Sequence, residues 1–211
     1  FAELLPEKYD DRSFREFYAL TVRQELKRLD ELVEQLIAFS TSPTYDFNIN
    51  DLHEILNLGL SFLQEQGLGQ KTAVETVFDS RGLKVWADKT RLARAFSYFL
   101  RYLFRAVEEG GVVRMETALV EKGVPGESVC ISLCDFQTKM EPGDVKKMLD
   151  PLTARPNGYL SLGPPVGRKI IEDHGGLVTA SLIKERYLKV EIYLPVFAGE
   201  EAKKRWPAPK S

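Results

Sequence analysis

Hydrophobic positions along the first forty residues recur at helical spacing. From Ser13 onward, Phe14, Phe17, Thr21, Leu26, Leu29, Val33, Leu36 and Ile37 follow one another mostly at steps of three and four with charges between them, the stripe of an amphipathic helix. Ser13 is placed to cap this helix, with Glu16 completing a capping box. The opening Phe1-Ala2-Glu3-Leu4-Leu5-Pro6 reads as the end of a preceding helix that folds back through Glu7 to Arg12 as an antiparallel hairpin. One hairpin cannot bury such a stripe. Two of them, from two subunits, would form a four-helix bundle, so the pattern predicts a homodimer.

Thr41-Ser42-Pro43-Thr44 breaks this pattern and reads as a linker, after which the periodicity changes. Tyr45 to Asn50 alternates like a short strand, and Asp51 caps a helix running to about Gly67. Thr72 to Phe78 and Leu83 to Ala87 read as a strand pair around the turn Asp79-Ser80-Arg81-Gly82. Asp88 opens a second, strongly apolar helix reaching about Glu109. Val112 to Leu119 and Ser128 to Asp135 are strands joined by a Gly/Pro turn. Short helices follow at about Pro142 to Leu149 and Pro165 to Asp173. His174-Gly175-Gly176 ends the second of these, with Gly175 as the residue just past the helix and the imidazole near its carbonyl end. Leu177 to Ile183 and Leu188 to Leu194 close a sheet. The fold class is α+β, with three main helices over one face of a mixed sheet. The expected division is a helical hairpin at 1–42, an α/β sandwich at 43–198 and a Lys/Pro-rich tail at 199–211.

Composition narrows the chemistry. The 211 residues carry 31 acidic and 29 basic side chains, a net charge of -2, which lacks the basic footprint of a nucleic-acid binder. No apolar run approaches the ~20 residues of a membrane span, so no membrane contact is expected within this chain. Two histidines, His53 and His174, and two cysteines, Cys130 and Cys134, are too few for a zinc site of the usual kind. The cysteines lie four apart on one strand face and read as buried thiols of a reducing, cytoplasmic protein. His53, beside Glu54 on a helix, reads as a surface or rim residue.

The order of elements, with the residues Asp88, Arg91, Leu92, Phe96, Phe99, Leu100, Leu103 and Ala106, Asp135, Leu149-Asp150-Pro151, Gly163 and His174-Gly175-Gly176, resembles the dimerisation and ATP-binding parts of bacterial sensor histidine kinases. The resemblance spans Phe1 to about Val196 and implies the two-layer sandwich of the gyrase, heat-shock ATPase and histidine kinase superfamily. It places the family's phospho-accepting histidine on the first hairpin helix, upstream of Phe1; neither His53 nor His174 takes its position. On the helix opened by Asp88, the family's two asparagines, which help hold magnesium and triphosphate, correspond to Tyr98 and Tyr102. The first glycine box, Asp-x-Gly-x-Gly in the family, reads Asp135-Phe136-Gln137-Thr138-Lys139: the adenine-binding aspartate is kept and both glycines are replaced, by Gln137 and Lys139. The second, Gly-x-Gly-x-Gly in the family, reads Tyr159-Leu160-Ser161-Leu162-Gly163, with Tyr159 and Ser161 at the lost glycines, and Pro164-Pro165 follows.

Hydrophobic spacing is thus kept while the nucleotide-facing positions differ in three separate boxes. Two prolines remove two N–H groups from a phosphate cradle, and side chains at glycine positions add bulk beside the nucleotide. The resemblance therefore implies a two-component signalling module of degenerate, pseudokinase type, acting by dimerisation through Phe14, Phe17, Leu26, Leu29, Val33 and Leu36 and by docking a response-regulator receiver domain, with no cofactor. The alternatives are an active kinase using ATP and magnesium on the upstream histidine, with Asp135, Leu162 and Gly163 carrying the nucleotide, and a histidine phosphotransfer protein in which the sandwich is only scaffold. Tyr98 and Tyr102 read either as rings filling the old nucleotide cavity or as a platform for another ligand. Arg91, Arg94, Arg101 and Arg105 read as a solvated row or as an anion site.

Overall fold

The computed structural model describes residues 4–40, 44–65, 72–107, 110–121, 123–124, 127–139, 142–150 and 162–197. The chain divides into two compact units, 1–41 and 42–211.

In the first unit, the one-turn helix α1 (Leu5–Lys8), with Pro6 in its first turn, precedes the long helix α2 (Arg12–Ser40). The cap of α2 is Asp11, not Ser13. Its Oδ1 accepts from the backbone N–H of Ser13 (2.9 Å) and Phe14 (3.2 Å) and from the Ser13 hydroxyl (2.6 Å). A carboxylate two residues earlier reaches two of the orphan amides of the first turn, so it outcompetes the hydroxyl. Glu16, freed from the capping box, accepts from Arg12 Nε at 2.9 Å instead. Along the α2 stripe Phe17, Leu26, Leu29, Val33 and Leu36 are each more than half exposed, and Phe14 is half-buried.

In the second unit, strand β1 (Asn48–Asp51) leads into helix α3 (Leu52–Glu65), whose His53 amide is capped by Asp51 Oδ1 at 2.9 Å. Strands β2 (Ala73–Val77) and β3 (Lys84–Ala87) follow, then helix α4 (Lys89–Ala106) and the hairpin of β4 (Val112–Val120) with β5 (Ser128–Lys139). Helices α5 (Pro142–Met148) and α6 (Gly163–Asp173) precede β6 (Leu177–Ile183) and β7 (Tyr187–Pro195). The five-stranded sheet has the order β2-β4-β5-β7-β6, parallel only at β2–β4, and β1–β3 form a separate antiparallel ribbon.

The expected β2–β3 hairpin is therefore replaced by a crossover. At Asp79 the carboxylate takes the Arg81 backbone amide (3.0 Å) and its guanidinium, while the Asp79 amide donates to Thr117 Oγ1 at 2.8 Å. That turn sends β3 away to pair with β1. The chain then returns through α4, long enough to bring β4 beside β2 in parallel. β5 also runs four residues past its expected end at Asp135: after a register break between Cys134 and Lys139, pairing with β7 resumes at Lys139 opposite Tyr187.

Helix α4 packs between α3 and α6 on one face of the sheet. Leu92, Phe96, Phe99, Leu100 and Leu103 of α4 are buried, as are Met115, Ile131 and Leu133 on one face of the sheet. Two glycines permit the close approach. A Cβ on Gly59 would lie 2.9 Å from the Ala93 carbonyl oxygen, and one on Gly167 would lie 2.9 Å from Phe99 Cε2. α6 ends as expected: Gly175 has φ +70°, and the amides of Gly175 and Gly176 reach back to the carbonyls of Glu172 and Ile171 at 2.9 Å each, a Schellman closure. Cys134 is buried but Cys130 only half-buried, since both lie on the sheet face opposite the helices.

Candidate functional site

The sequence-predicted residues lie on three elements, the middle of α4, the end of β5 and the start of α6, and Tyr98 of α4 meets Gly163 of α6. Asp88 is the N-cap of α4, its Oδ1 accepting from the Arg91 amide at 3.0 Å. This sets the helical phase that turns Tyr98, Arg101 and Tyr102 inward, each less than a tenth exposed. Asp135 follows the alternation of β5: it shares the helix-facing side with Ile131 and Leu133, is fully buried, and accepts the Gln137 amide on Oδ1 at 2.8 Å. Gln137 and Phe136 are exposed, and Lys139 pairs with Tyr187 in the sheet.

α6 begins at Gly163, two residues earlier than expected, with Leu162 as its N-cap and no side chain closing the turn. Pro164 and Pro165 have no N–H, and the Val166 amide already donates to the Leu162 carbonyl at 2.9 Å. Only the amides of Leu162 and Gly163 are left as first-turn donors, where an unobstructed helix start offers four. The Tyr98 side chain lies against this start: its Cβ is 3.5 Å and its Cδ1 3.7 Å from where a Cβ of Gly163 would stand. Tyr98 thus packs beside the first residue of α6. Tyr159 and Ser161, together with Pro151-Leu152 and the segment 153–158, lie outside the described residues.

The arginine row divides. Arg94 and Arg105 are exposed, Arg91 is half-buried and Arg101 is buried, so a solvated row holds for only part of it. His53 is half-buried, stacked on Phe78 with ring centroids 4.6 Å apart, its Nε2 3.3 Å from Thr117 Oγ1. Among the described residues no three His, Cys, Asp or Glu side chains are grouped to hold a metal, and no helix is long and apolar enough to cross a membrane. A cavity of about 320 Å³ between α3 and β2, lined by Leu60, Leu63, Thr72, Val74 and Phe104, includes none of these site residues.

At the opposite ends of α4 and α6, a cluster missed in the sequence joins the two helices. His174 is buried; its Nδ1 lies 2.7 Å from the Ile170 carbonyl, and its Nε2 accepts the Asp88 backbone N–H at 3.1 Å. That pair of partners selects the neutral tautomer with the proton on Nδ1, and burial pushes the imidazole below its ordinary pKa. Tyr45 donates its hydroxyl to Asp173 Oδ2 at 2.7 Å, and burial with that carboxylate raises the phenol pKa. Residues 86 positions apart leave no local signal of such a contact; only the helix-ending role of His174 was legible.

The α+β sandwich with its mixed five-stranded sheet and α4 lying between α3 and α6 is the fold of histidine kinase catalytic domains. The chain matches curated sensor histidine kinases in sequence: Sporulation kinase C of Bacillus subtilis is 23% identical over 177 residues, 83% of this chain and 40% of that protein. Sensor histidine kinase ZraS of Salmonella typhimurium is 22% identical over 183 residues, 87% of this chain and 38% of that protein. This chain thus spans about two fifths of the length of these relatives. Histidine kinase ThkA shares the fold: its catalytic domain superposes with a TM-score of 0.59 at 21% identity, covering 71% of this chain and 95% of that one. ThkA in complex with the response regulator protein TrrA gives a TM-score of 0.68 at 21% identity over 88% of this chain and 53% of that one. No protein-family profile matches the chain.

Proposed function

We propose that this chain is a histidine-kinase-like signalling module that works by dimerisation and partner docking, with productive ATP binding lost or impaired. The observation that carries the reading is Tyr98, buried on α4 with its side chain against Gly163 at the start of α6. Where the resemblance expects two asparagine carbonyls, Tyr98 and Tyr102 supply protonated phenols. Magnesium takes hard oxygen ligands in near-octahedral geometry, which these side chains do not fit. The two prolines after Gly163 also halve the amide cradle available to phosphates. The exposed apolar stripe of α2 supports a second copy as its cover, forming a four-helix bundle whose polar faces are left for a response-regulator receiver domain; ThkA has been seen with such a regulator. Calorimetric titration of the protein with ATP and magnesium should give no binding heat, and low-micromolar binding would overturn the proposal.

One observation favours a second reading. Asp135, which the resemblance matches to the family's adenine-binding aspartate, is fully buried on the helix-facing side of β5. An active kinase would use it, with Leu162 and Gly163, to hold ATP and would label a histidine upstream of Phe1. Transfer of γ-phosphate to a longer chain carrying that helix, abolished by Asp135→Asn, would establish this reading in place of the first.

A further inference from the structure

The stretch just after the boundary between the two units is fastened to both helices that carry the candidate site. Tyr45, five residues beyond the end of α2, donates its hydroxyl to Asp173 Oδ2 at the end of α6 (2.7 Å), and its ring meets His174 edge-on with centroids 5.0 Å apart. The Asp46 amide donates to Asp88 Oδ2 at 3.1 Å, so one carboxylate holds both this stretch and, through Oδ1, the first turn of α4. The Phe47 ring lies 4.8 Å from His174 and stacks on Trp86 of β3 at 6.5 Å. His174 completes the clasp by accepting the Asp88 amide, tying the end of α6 to the start of α4.

The two helices run antiparallel from this clasp. About ten residues on, roughly 15 Å along each axis, they meet again where Tyr98 touches Gly163. Between these points Gly167 packs on Ala95 and Phe99 with no room for a methyl group. Such a pair moves as a body, because close-packed interfaces switch between arrangements and do not deform smoothly. The stretch itself is held by few groups: Asp46 is exposed, and Tyr45 and Phe47 are half-buried. Local opening there has only these contacts to break.

We propose that Tyr45, Asp46 and Phe47 form a latch that fastens the connection from the helical unit onto the His174–Asp88 clasp, and that releasing it loosens the middle of α4 and the start of α6 around Tyr98 and Gly163. The signalling reading above gives the latch its purpose. The test below needs neither nucleotide nor partner, so failure of the latch leaves that reading standing.

Tyr45→Phe removes one hydroxyl and keeps the ring. Hydrogen exchange of the intact chain, followed by mass spectrometry, should show about tenfold faster exchange at 44–50, the scale of one lost charge-assisted hydrogen bond. Faster exchange should also appear at 98–106 and 162–167, with β4 and β5 unchanged. Asp173→Asn, which removes the charge of the acceptor together with its ion pair to Lys169 (3.1 Å), should give the same pattern at smaller amplitude. Acceleration confined to 44–50 in both variants overturns the latch, and so does uniform acceleration that includes β4 and β5, which would mean Tyr45 only stabilises the unit.

Discussion

His174 offers the sharpest test of how the second unit is held together. Replacing it with alanine removes the donor to the Ile170 carbonyl and the acceptor of the Asp88 amide, at 2.7 and 3.1 Å, from a site 1% exposed. Two net hydrogen bonds at about 1 kcal/mol each, plus the cost of leaving buried partners unmet, put the loss at about 3 kcal/mol at pH 8. The folded state holds this imidazole neutral, with its pKa lowered by burial, whereas the unfolded chain titrates near 6.5. Below pH 6.5 the unfolded state therefore binds the extra proton, and wild-type stability falls as the pH drops toward the folded value. The slope is at most ~1.4 kcal/mol per pH unit. His174→Ala lacks this slope. The gap between the two proteins, read from urea unfolding by Trp86 fluorescence at pH 8 and pH 5.5, should narrow by about 1 kcal/mol at the lower pH. A gap that stays constant or widens would refute the assignment of a buried neutral imidazole.

Four further outcomes follow from the packing. Gly167→Val, which pushes side-chain atoms into Phe99 and the Ala95 carbonyl, should cost about 2 kcal/mol in chemical unfolding by prying α4 from α6. Lys184 and Glu185, at φ 50° and 61°, form the turn between β6 and β7 with residues that resist this conformation; Lys184→Asn with Glu185→Gly should raise stability by about 1 kcal/mol, seen as a higher melting temperature. Tyr98→Ala should destabilise the second unit by about 3 kcal/mol if the ring fills the core, whereas a ligand platform open to solvent would cost well under 1 kcal/mol. Val33→Glu, in the exposed stripe of α2, should shift sedimentation from dimer to monomer; an unchanged sedimentation coefficient would place the dimer contact elsewhere.

Much of the element list was legible because periodicity and capping are local. The 3.6-residue stripe marked α2 and α4, Asp51 and Asp88 announced the starts of α3 and α4, and His174-Gly175-Gly176 announced the closure of α6. The sequence alone puts the cap of α2 two residues late, because a carboxylate and a hydroxyl two positions apart both suit the role and only geometry ranks them. The β2–β3 pairing was misread because a turn-like sequence cannot tell a hairpin from a crossover. Of the site, the burial of Tyr98 and Tyr102 was one of two readings the resemblance left open.

By itself the sequence determined the α+β class, the helical phase of α4 and the alternation that turns Asp135 toward the helices, since each follows from neighbours a few residues apart. Only the tertiary structure decided that Tyr98 packs beside Gly163, that His174 accepts the Asp88 amide, and that Tyr45 clasps Asp173. These contacts join residues 65, 86 and 128 positions apart. Burial and hydrogen bonding select such partners after the chain has closed its loops, and no local pattern carries their trace.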